Sequence, residues 1–244
     1  MVDEMRAAGT GAAAEAGEPL PNLFARLVMV FVAPGALFNR LKAAPKWLGA
    51  FLLVLVLTGA ATSLLLPEEM VREQITQGVS ADASPEQIEG VEKVADFFAS
   101  PAGRGVSTLL NSAVVAIFFS IYVGIIMLVF NVFMGGEARF KQLFSFASHA
   151  SLISSVGAVV TVPLKIAKED MRAGMNLGLM SPVDSGFLNN FLTGIDIFAI
   201  WATIVLAIGL SKLYTNRSIG GIMVILFIIF ALLVAVGAAL TPGA

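Results

Sequence analysis

Long apolar blocks separated by shorter polar segments occupy most of the chain. Five blocks are long enough to cross the hydrocarbon layer of a bilayer, which takes about 20 apolar residues in a helix. They cover residues 47–66, 106–134, 143–166, 191–213 and 218–240. Because backbone polar groups inside a bilayer must be satisfied within the spanning segment, this pattern predicts an all-α integral membrane protein with five transmembrane helices.

The third block is the most polar of the five. Its serines recur at intervals of three and four: Ser145, Ser148, Ser151, Ser154 and Ser155. A stripe of small polar side chains lets one helix approach another closely inside a membrane. We therefore expect the segment 143–166 to lie in the interior of the bundle.

The residues before the first block differ from the rest. Residues 1–21 are small, polar and acidic and lack an aliphatic run, a composition typical of a disordered tail. Residues 22–244 are predicted to form a single membrane domain. Between the tail and the first block, Pro34 and Pro45 punctuate two short helical segments, because proline ends one helix and can begin the next.

The second of these short segments has an amphipathic pattern. Its apolar residues Leu37, Phe38 and Leu41 recur at helical spacing beside Arg40 and Lys42, and Trp47 follows. Such a segment is typical of an amphipathic N-terminal interfacial helix in the headgroup layer, with the tryptophan at the interface. A cytosolic helix that caps the bundle has the same pattern, and both interpretations stay open.

The connection 67–105 is long and acidic, with eight acidic residues against three basic ones. The stretch Ser84-Pro85-Glu86-Gln87 has the pattern of a capping box with proline at the first helical position. Apolar residues then recur at helical spacing, which predicts a partly helical outer loop. This helix is expected to rest on the membrane surface or the mouth of the bundle, with partner binding as the alternative.

Lysine and arginine residues near the span ends predict the orientation. One side holds Arg26, Arg40, Lys42, Lys46, Arg139, Lys141, Lys212 and Arg217. The acidic connection 67–105 lies on the other side, although Lys168 and Arg172 lie there too. We expect a cytoplasmic N-terminus and an outside C-terminus.

Composition narrows the function further. Only 13% of residues are charged and 57% are hydrophobic, whereas soluble domains average about 25% charged residues. The net charge of −2 gives no indication of nucleic-acid binding, and the absence of cysteine excludes disulfides and thiolate metal sites. With one histidine there is no H-E-x-x-H motif, and with one deep carboxylate no aspartyl dyad, so neither an enzyme nor a cofactor is expected.

Asp196 is an acid inside the apolar run 191–213. A charge at the centre of a bilayer costs roughly 2.5–3.5 kcal/mol, so an intramembrane acid needs a partner. The end of the third span and the start of the fourth lie at the same face, which predicts a structural pair of Lys165 and Asp196. Hydroxyl groups of the second or third span are alternative partners, and an ion or proton pathway is the functional alternative.

Other interior polar candidates are His149, Ser151, Ser155 and Thr203. Thr203 lies on the same small-residue stripe of the fourth span as Asp196. His149 has no second metal ligand nearby in sequence, so an interior hydrogen-bonded role is expected rather than a metal ligand or proton shuttle.

Four short motifs resemble the Yip1 domain family in its bacterial form. They are "PGALFNRLKAAPKW" (34–47), "GGEARFKQLFSFASHAS" (135–151), "DIFAIW" (196–201) and "AIGLSKL" (207–213). The resemblance covers residues 24–240 and implies five spans with a cytosolic N-terminus, in a bacterial inner membrane. Eukaryotic relatives are associated with Rab GTPases and vesicle traffic, but this chain lacks their "DLYGP" element, so Rab binding is not carried over.

The resemblance implies a non-enzymatic scaffold or adaptor in membrane organisation or trafficking-like processes. Its expected partners are the lipid bilayer and either a membrane protein or a second copy of the chain. The alternative is a small transporter or channel subunit. That alternative would use the polar faces of the second to fourth spans, at Asn111, Asn131, Ser151, Ser155, Asp196 and Thr203.

Overall fold

A computed structural model describes residues 20–77, 79–80 and 82–241. Most of the predicted tail 1–21 lies outside the described residues. The described ranges contain helices and one isolated antiparallel bridge between Asn176 and Asp196, but no strand. The helices are α1 (Leu23–Val32), α2 (Pro34–Ala43), α3 (Leu48–Gly59), α4 (Glu68–Thr76), α5 (Pro85–Ala99), α6 (Pro101–Met127), α7 (Phe140–Val160), α8 (Val162–Lys168), α9 (Phe187–Thr193), α10 (Ile197–Leu213) and α11 (Ile219–Leu240).

Two of these helices continue into π-helical turns. Ala60–Leu64 extends α3, and Leu128–Phe133 extends α6. A short 3₁₀ helix covers Leu177–Met180. The fold is therefore the all-helical one that the sequence predicts.

Three helical segments in the described part of the chain are long and apolar enough to cross a membrane. They are Pro101–Phe133, Phe140–Lys168 and Ile219–Leu240. A fourth is counted if Leu48–Leu64 and Glu68–Thr76, which meet at an angle of 83°, form one broken span. The fourth predicted span, 191–213, is interrupted because Asp196 begins a new helix, which leaves 17 residues in α10.

Helix α7 lies at the centre of the bundle, as its serine pattern predicts. Ser145, Ser148, His149 and Ser155 are all buried, and α7 contacts α3, α6 and α10 along its length. Around its first turns, three aromatic rings from two other segments pack together with Phe144: Trp47 and Phe51 at the start of α3, and Phe119 of α6. This cluster is the core of the bundle at the end where α3 and α7 begin.

Contacts along α7 fix the directions of its neighbours. Helix α3 runs parallel to α7, because Trp47 packs on Phe144 and the Thr58 hydroxyl lies 3.2 Å from the Ser155 hydroxyl. Helix α10 runs antiparallel to α7. At one end of that pair a Cβ on Gly157 would overlap the ring of Phe198, so only glycine fits there. The starts of α3 and α7 and the end of α10 therefore lie at one end of the bundle.

Helices α1 and α2 form a hairpin against α7 and α10. Arg26 in α1 contacts His149, and farther along α1 the ring of Phe31 packs edge-on against Trp201 of α10 at 5.3 Å. After Pro34 the chain reverses. Phe38 of α2 then packs on Phe146, with ring centroids 4.8 Å apart.

The second N-terminal segment packs against the bundle. Leu37, Phe38 and Leu41 are fully buried, and α2 contacts α10 and α7. Their apolar face is therefore covered by protein, as the interpretation of a helix that caps the bundle requires. The sequence pattern could not distinguish this helix from an interfacial one, because both surroundings favour the same apolar side chains.

The connection 67–105 folds into two helices, α4 and α5. The capping box predicted at Ser84 is confirmed: its hydroxyl accepts from the Gln87 N–H at 3.3 Å, and Gln87 Oε1 accepts from the Ser84 N–H at 2.8 Å. Helix α5 packs on α4 and α6, and an ion pair between Arg72 and Asp96 joins α4 to α5.

Candidate functional site

Asp196 caps the start of helix α10. Its Oδ1 accepts hydrogen bonds from the backbone N–H groups of Phe198 at 2.7 Å and Ala199 at 3.3 Å. A carboxylate there satisfies two N–H groups that have no partner within the helix, and it lies at the positive end of the helix dipole. This is the structural reason for an acid within the apolar run.

The segment before the cap is also held in place. Leu177 N–H donates to the Ile195 carbonyl at 3.1 Å, and Ile197 N–H donates to the Met175 carbonyl at 3.0 Å. These two bonds pair residues 175–177 with residues 195–197 on either side of Asp196. The position of the carboxylate is thus fixed by backbone bonds as well as by its own cap.

Lys165 does not form a contact ion pair with Asp196. Among the described residues, the ion pairs within 4.0 Å involve only Arg72 and Lys93 as the cations. Lys165 is half-buried in α8, where it is attracted electrostatically to Asp170 first and to Asp196 second. The direct partners of Asp196 are therefore backbone N–H groups, in place of the predicted lysine or hydroxyl groups.

His149 takes part in a buried polar cluster with Arg26. Its Nδ1 lies 2.7 Å from the Ser145 carbonyl oxygen, so Nδ1 carries the proton and donates. The lone pair on Nε2 then accepts from Arg26 Nη1 at 3.2 Å. Arg26 Nη1 also donates to the Lys46 carbonyl at 3.1 Å, and the Arg26 side chain is only 7% exposed. The cluster joins α1, α7 and the start of α3.

Sequence reasoning placed Arg26 among the cations near the first span and missed this role. The available signal was the position of Arg26 inside the apolar helix Leu23–Val32, where a charge must find a buried partner. The partner itself could not be predicted, because Arg26 and His149 are 123 residues apart.

A seam of hydroxyl and amide groups runs between α3, α6 and α7. Besides the contact between Thr58 and Ser155, the Ser63 hydroxyl lies 3.3 Å from the Ser107 hydroxyl and accepts from Asn111 Nδ2 at 3.4 Å. These groups tie neighbouring helices together. Thr58 lies in α3 and Ser63 in the π-helical turn that extends it, so the two contacts are about one helical turn apart.

Two of the hydroxyl candidates also donate to carbonyl groups of their own helices. Thr203 donates to the Ala199 carbonyl at 2.8 Å, and Ser155 donates to the Ser151 carbonyl at 3.1 Å. Thr203 therefore does not join the seam, and Ser151 contributes its backbone carbonyl.

Asn131 and Tyr214 lock the turn after the second span. The Tyr214 hydroxyl donates to Asn131 Oδ1 at 2.7 Å, and Asn131 Nδ2 donates to the Ala138 carbonyl at 2.7 Å. Burial raises the pKa of Tyr214 to about 12, so the phenol keeps the proton that it donates. A Cβ on Gly136 would overlap the Tyr214 ring and lie 2.7 Å from the Phe130 carbonyl oxygen, so this position requires glycine.

Several lysine and arginine residues lie at one end of the bundle. We call it the basic end and define it by Lys42, Lys46, Arg139, Lys141, Lys212 and Arg217. Lys42 Nζ donates to the Lys212 carbonyl at 2.7 Å, which joins the ends of α2 and α10. Gln142 Nε2 donates to the Lys42 carbonyl at 3.0 Å, which adds the start of α7.

The chemistry open to these groups is limited by the bonds that they already make. Within the described ranges, no three histidine, cysteine or acidic side chains are grouped so as to hold a metal ion. Asp196, His149, Ser155 and Thr203 each hydrogen-bond to the backbone or to another side chain. Of these four, His149 and Ser155 contact side chains of other helices, whereas Asp196 and Thr203 bond within their own helix.

Comparison with known proteins agrees with this picture of a helical membrane protein. The chain is similar to "Membrane protein YknW" of Bacillus subtilis (strain 168), with 29% identity over 198 residues that make up 79% of this chain and 78% of the relative. No solved structure matches the chain. The family model of the Yip1 domain matches residues 28–240. The chain, an integral membrane protein in sequence and fold, therefore belongs to the Yip1 domain family.

Proposed function

We propose that this protein is a non-enzymatic scaffold or adaptor that spans the inner membrane five times. The observation that carries the proposal is the role of Asp196. The one acid within the apolar run of the fourth predicted span is used to begin a helix, with its Oδ1 bound to two backbone N–H groups. An acid bound in this way stabilises the fold. The proposed partners then bind to the surfaces of the bundle.

The packing of the two shorter helices supports the proposal of five crossings. Leu48–Leu64 and α10 each have 17 residues, the lower limit for a spanning helix, and are about 26 Å long. Both lie along α7, which is part of a candidate span, one parallel and one antiparallel to it. A helix that follows a spanning helix over this length crosses the same layer.

The proposed orientation puts the basic end in the cytoplasm. Six cations lie at that end, whereas the acidic connection with α4 and α5 lies at the opposite end. Cytoplasmic loops carry the excess of lysine and arginine in membrane proteins. The N-terminus is then cytoplasmic and the C-terminus outside.

The absence of cysteine from the chain permits a direct test of orientation. Single variants Lys141→Cys at the basic end and Gln87→Cys in α5 are treated, in intact spheroplasts, with a maleimide reagent that cannot cross the membrane. We expect Gln87→Cys to react and Lys141→Cys to react only after permeabilisation. The reverse pattern would overturn the orientation.

The scaffold role is tested by flux and by crosslinking together. Purified protein in vesicles should release no trapped ions or protons above protein-free vesicles. In cells, a photoreactive residue in place of Lys141 should give a discrete adduct with one membrane protein or with a second copy. Flux without an adduct would contradict the scaffold proposal.

A small transporter or channel subunit is the second candidate, and the seam between α3, α6 and α7 favours it. Ser63, Ser107 and Asn111 form one polar contact there, and Thr58 with Ser155 forms another farther along. If the seam carries a solute, Asn111→Leu should abolish flux in vesicles while the protein stays folded. Flux that survives this change, or flux that is absent from the wild type, would remove this candidate.

A further inference from the structure

The cations of the basic end come from separate parts of the chain but form one surface. Lys42 and Lys46 flank the α2–α3 turn, Arg139 and Lys141 flank the start of α7, Lys212 ends α10, and Arg217 precedes α11. Bonds to Lys212 and Gln142 hold the first three segments together. Arg217 Nη2 donates to the Met134 carbonyl at 2.8 Å, which adds the turn after the second span.

These positive charges are not balanced by the described residues around them. Glu137 is the one acid in the described segments that form this end, and it is exposed. The ion pairs within 4.0 Å in the described part of the chain all lie in the connection 67–105 at the opposite end. Among the described residues, the side chains that define the basic end thus make no ion pair within that distance, so we expect the surface to attract anions.

Exposed apolar side chains lie beside these cations. Phe140 precedes Lys141, Leu48 follows Lys46 by two residues, and Phe133 at the end of the second span is 74% exposed. Cations bordered by exposed apolar groups match the boundary between lipid headgroups and acyl chains, where lysine and arginine extend to the phosphates. An acidic soluble protein would match the cations but would leave this apolar border in contact with water.

The N-terminal hairpin extends the same border. Phe24, Val28 and Val32 repeat every four residues on the exposed side of α1, while Arg26 and Val30 face the bundle. Phe24 is 74% exposed. An apolar stripe on the outside of a helix that packs against a membrane bundle is suited to lipid chains.

We propose that the basic end is a binding surface for anionic phospholipid headgroups, with the apolar border of α1, α3 and α7 in contact with their acyl chains. In the cell this surface faces the cytoplasmic leaflet, a statement that rests on the orientation proposed above. The binding itself does not depend on that orientation.

The test uses the full chain in nanodiscs made with phosphatidylglycerol or with phosphatidylcholine. The variant Lys46→Gln with Lys141→Gln removes two exposed charges whose side chains make no hydrogen bond to another described residue. The matched control, Lys93→Gln with Lys168→Gln, removes two exposed charges at the opposite end. Circular dichroism checks that all three proteins keep the same helix content.

For the wild type we expect a higher melting temperature in phosphatidylglycerol than in phosphatidylcholine, and several-fold enrichment of phosphatidylglycerol retained from mixed lipid. Both effects should fall in the basic-end variant, remain in the control and weaken as salt is raised, because exposed charges are screened. Equal behaviour of wild type and basic-end variant would overturn the proposal.

Two additions separate the other anions that could occupy this surface. Inorganic phosphate is added in solution and compared with chloride at the same ionic strength. If phosphate removes the preference for phosphatidylglycerol and chloride does not, the surface binds free anions and the lipid proposal fails. If a synthetic peptide of residues 1–19, which is acidic, displaces phosphatidylglycerol, the surface binds an acidic segment and the proposal also fails. Nanodiscs offer both leaflets alike, so a wrong orientation would appear in the cysteine labelling and leave these results unchanged.

Discussion

Substitutions at Asp196 distinguish three roles for this acid: a helix cap, a buried ion pair with Lys165, and part of an ion or proton pathway. Each role predicts a different pattern of effects among the variants. As a helix cap, Asp196 uses one oxygen to accept from two N–H groups. Asparagine offers the same acceptor without the charge, whereas alanine offers none. Lys165 makes no contact with the carboxylate within 4.0 Å, so the cap does not depend on it.

The magnitudes follow from these contacts. Loss of an N-cap side chain to alanine costs about 1 kcal/mol, within a range of about 0.5–2 kcal/mol. The charge at the helix start contributes about 0.3–1 kcal/mol, and it is all that asparagine would lose. We therefore expect Asp196→Ala to cost about 1–2 kcal/mol, Asp196→Asn less than about 1 kcal/mol, and Lys165→Met close to nothing.

A buried ion pair predicts a different order. Removing either partner of such a pair costs about 3–5 kcal/mol, so Asp196→Asn and Lys165→Met would be equally severe. The exchange of Lys165→Asp with Asp196→Lys would then recover stability, whereas a helix cap would be lost in it.

The measurement is the free energy of unfolding in mixed micelles, titrated with a denaturing detergent, for the wild type and each variant. Far-ultraviolet circular dichroism follows the loss of helix. Large and equal losses for Asp196→Asn and Lys165→Met would refute the cap. Vesicle flux that disappears in Asp196→Asn at unchanged stability would instead indicate a pathway.

Three other predictions concern close contacts in the bundle, each read as a change in melting temperature. Gly136→Ala should destabilise the protein by about 1–3 kcal/mol, because the added methyl group overlaps Tyr214. The control Gly124→Ala adds a methyl group in open space and should be neutral. Equal effects of the two substitutions would contradict the packing. Tyr214→Phe should cost about 1 kcal/mol by leaving the half-buried amide oxygen of Asn131 without its donor. A neutral result would argue against that bond. Arg26→Met should lower the stability by about 1–3 kcal/mol through the lost bond to His149. The same substitution should cost much less in a protein that already carries His149→Leu. Additive losses would show that the two side chains act separately.

The sequence predicted features that depend on neighbouring residues. Apolar length indicated the spans built on α6, α7 and α11, and the spacing of serines indicated that α7 is interior. The helix start at Ser84 follows from a local exchange of hydrogen bonds, which the four-residue pattern contains in full.

Features that join distant parts of the chain could not be predicted in this way. Asn131 and Tyr214 are 83 residues apart, and no periodicity in either segment specifies the other. Asp196 is a different case, because an acid directly before an apolar run is a recognised start signal for a helix. The apolar residues before it concealed that signal, since they continue the same hydrophobic run.

The π-helical turn Leu128–Phe133 also bears on the length of the chain. Met134 N–H donates to the Val129 carbonyl, five residues back, at 3.1 Å, so this turn holds one more residue than an α-helical turn would. Deleting one residue here would let the turn close to α-helical bonding, and the glycine turn after it would keep nearly the same direction toward Tyr214. A deletion earlier in α6 has no such turn to absorb it and would rotate the following segment by about 100°. The second span can therefore lose a residue near its end more easily than in its middle.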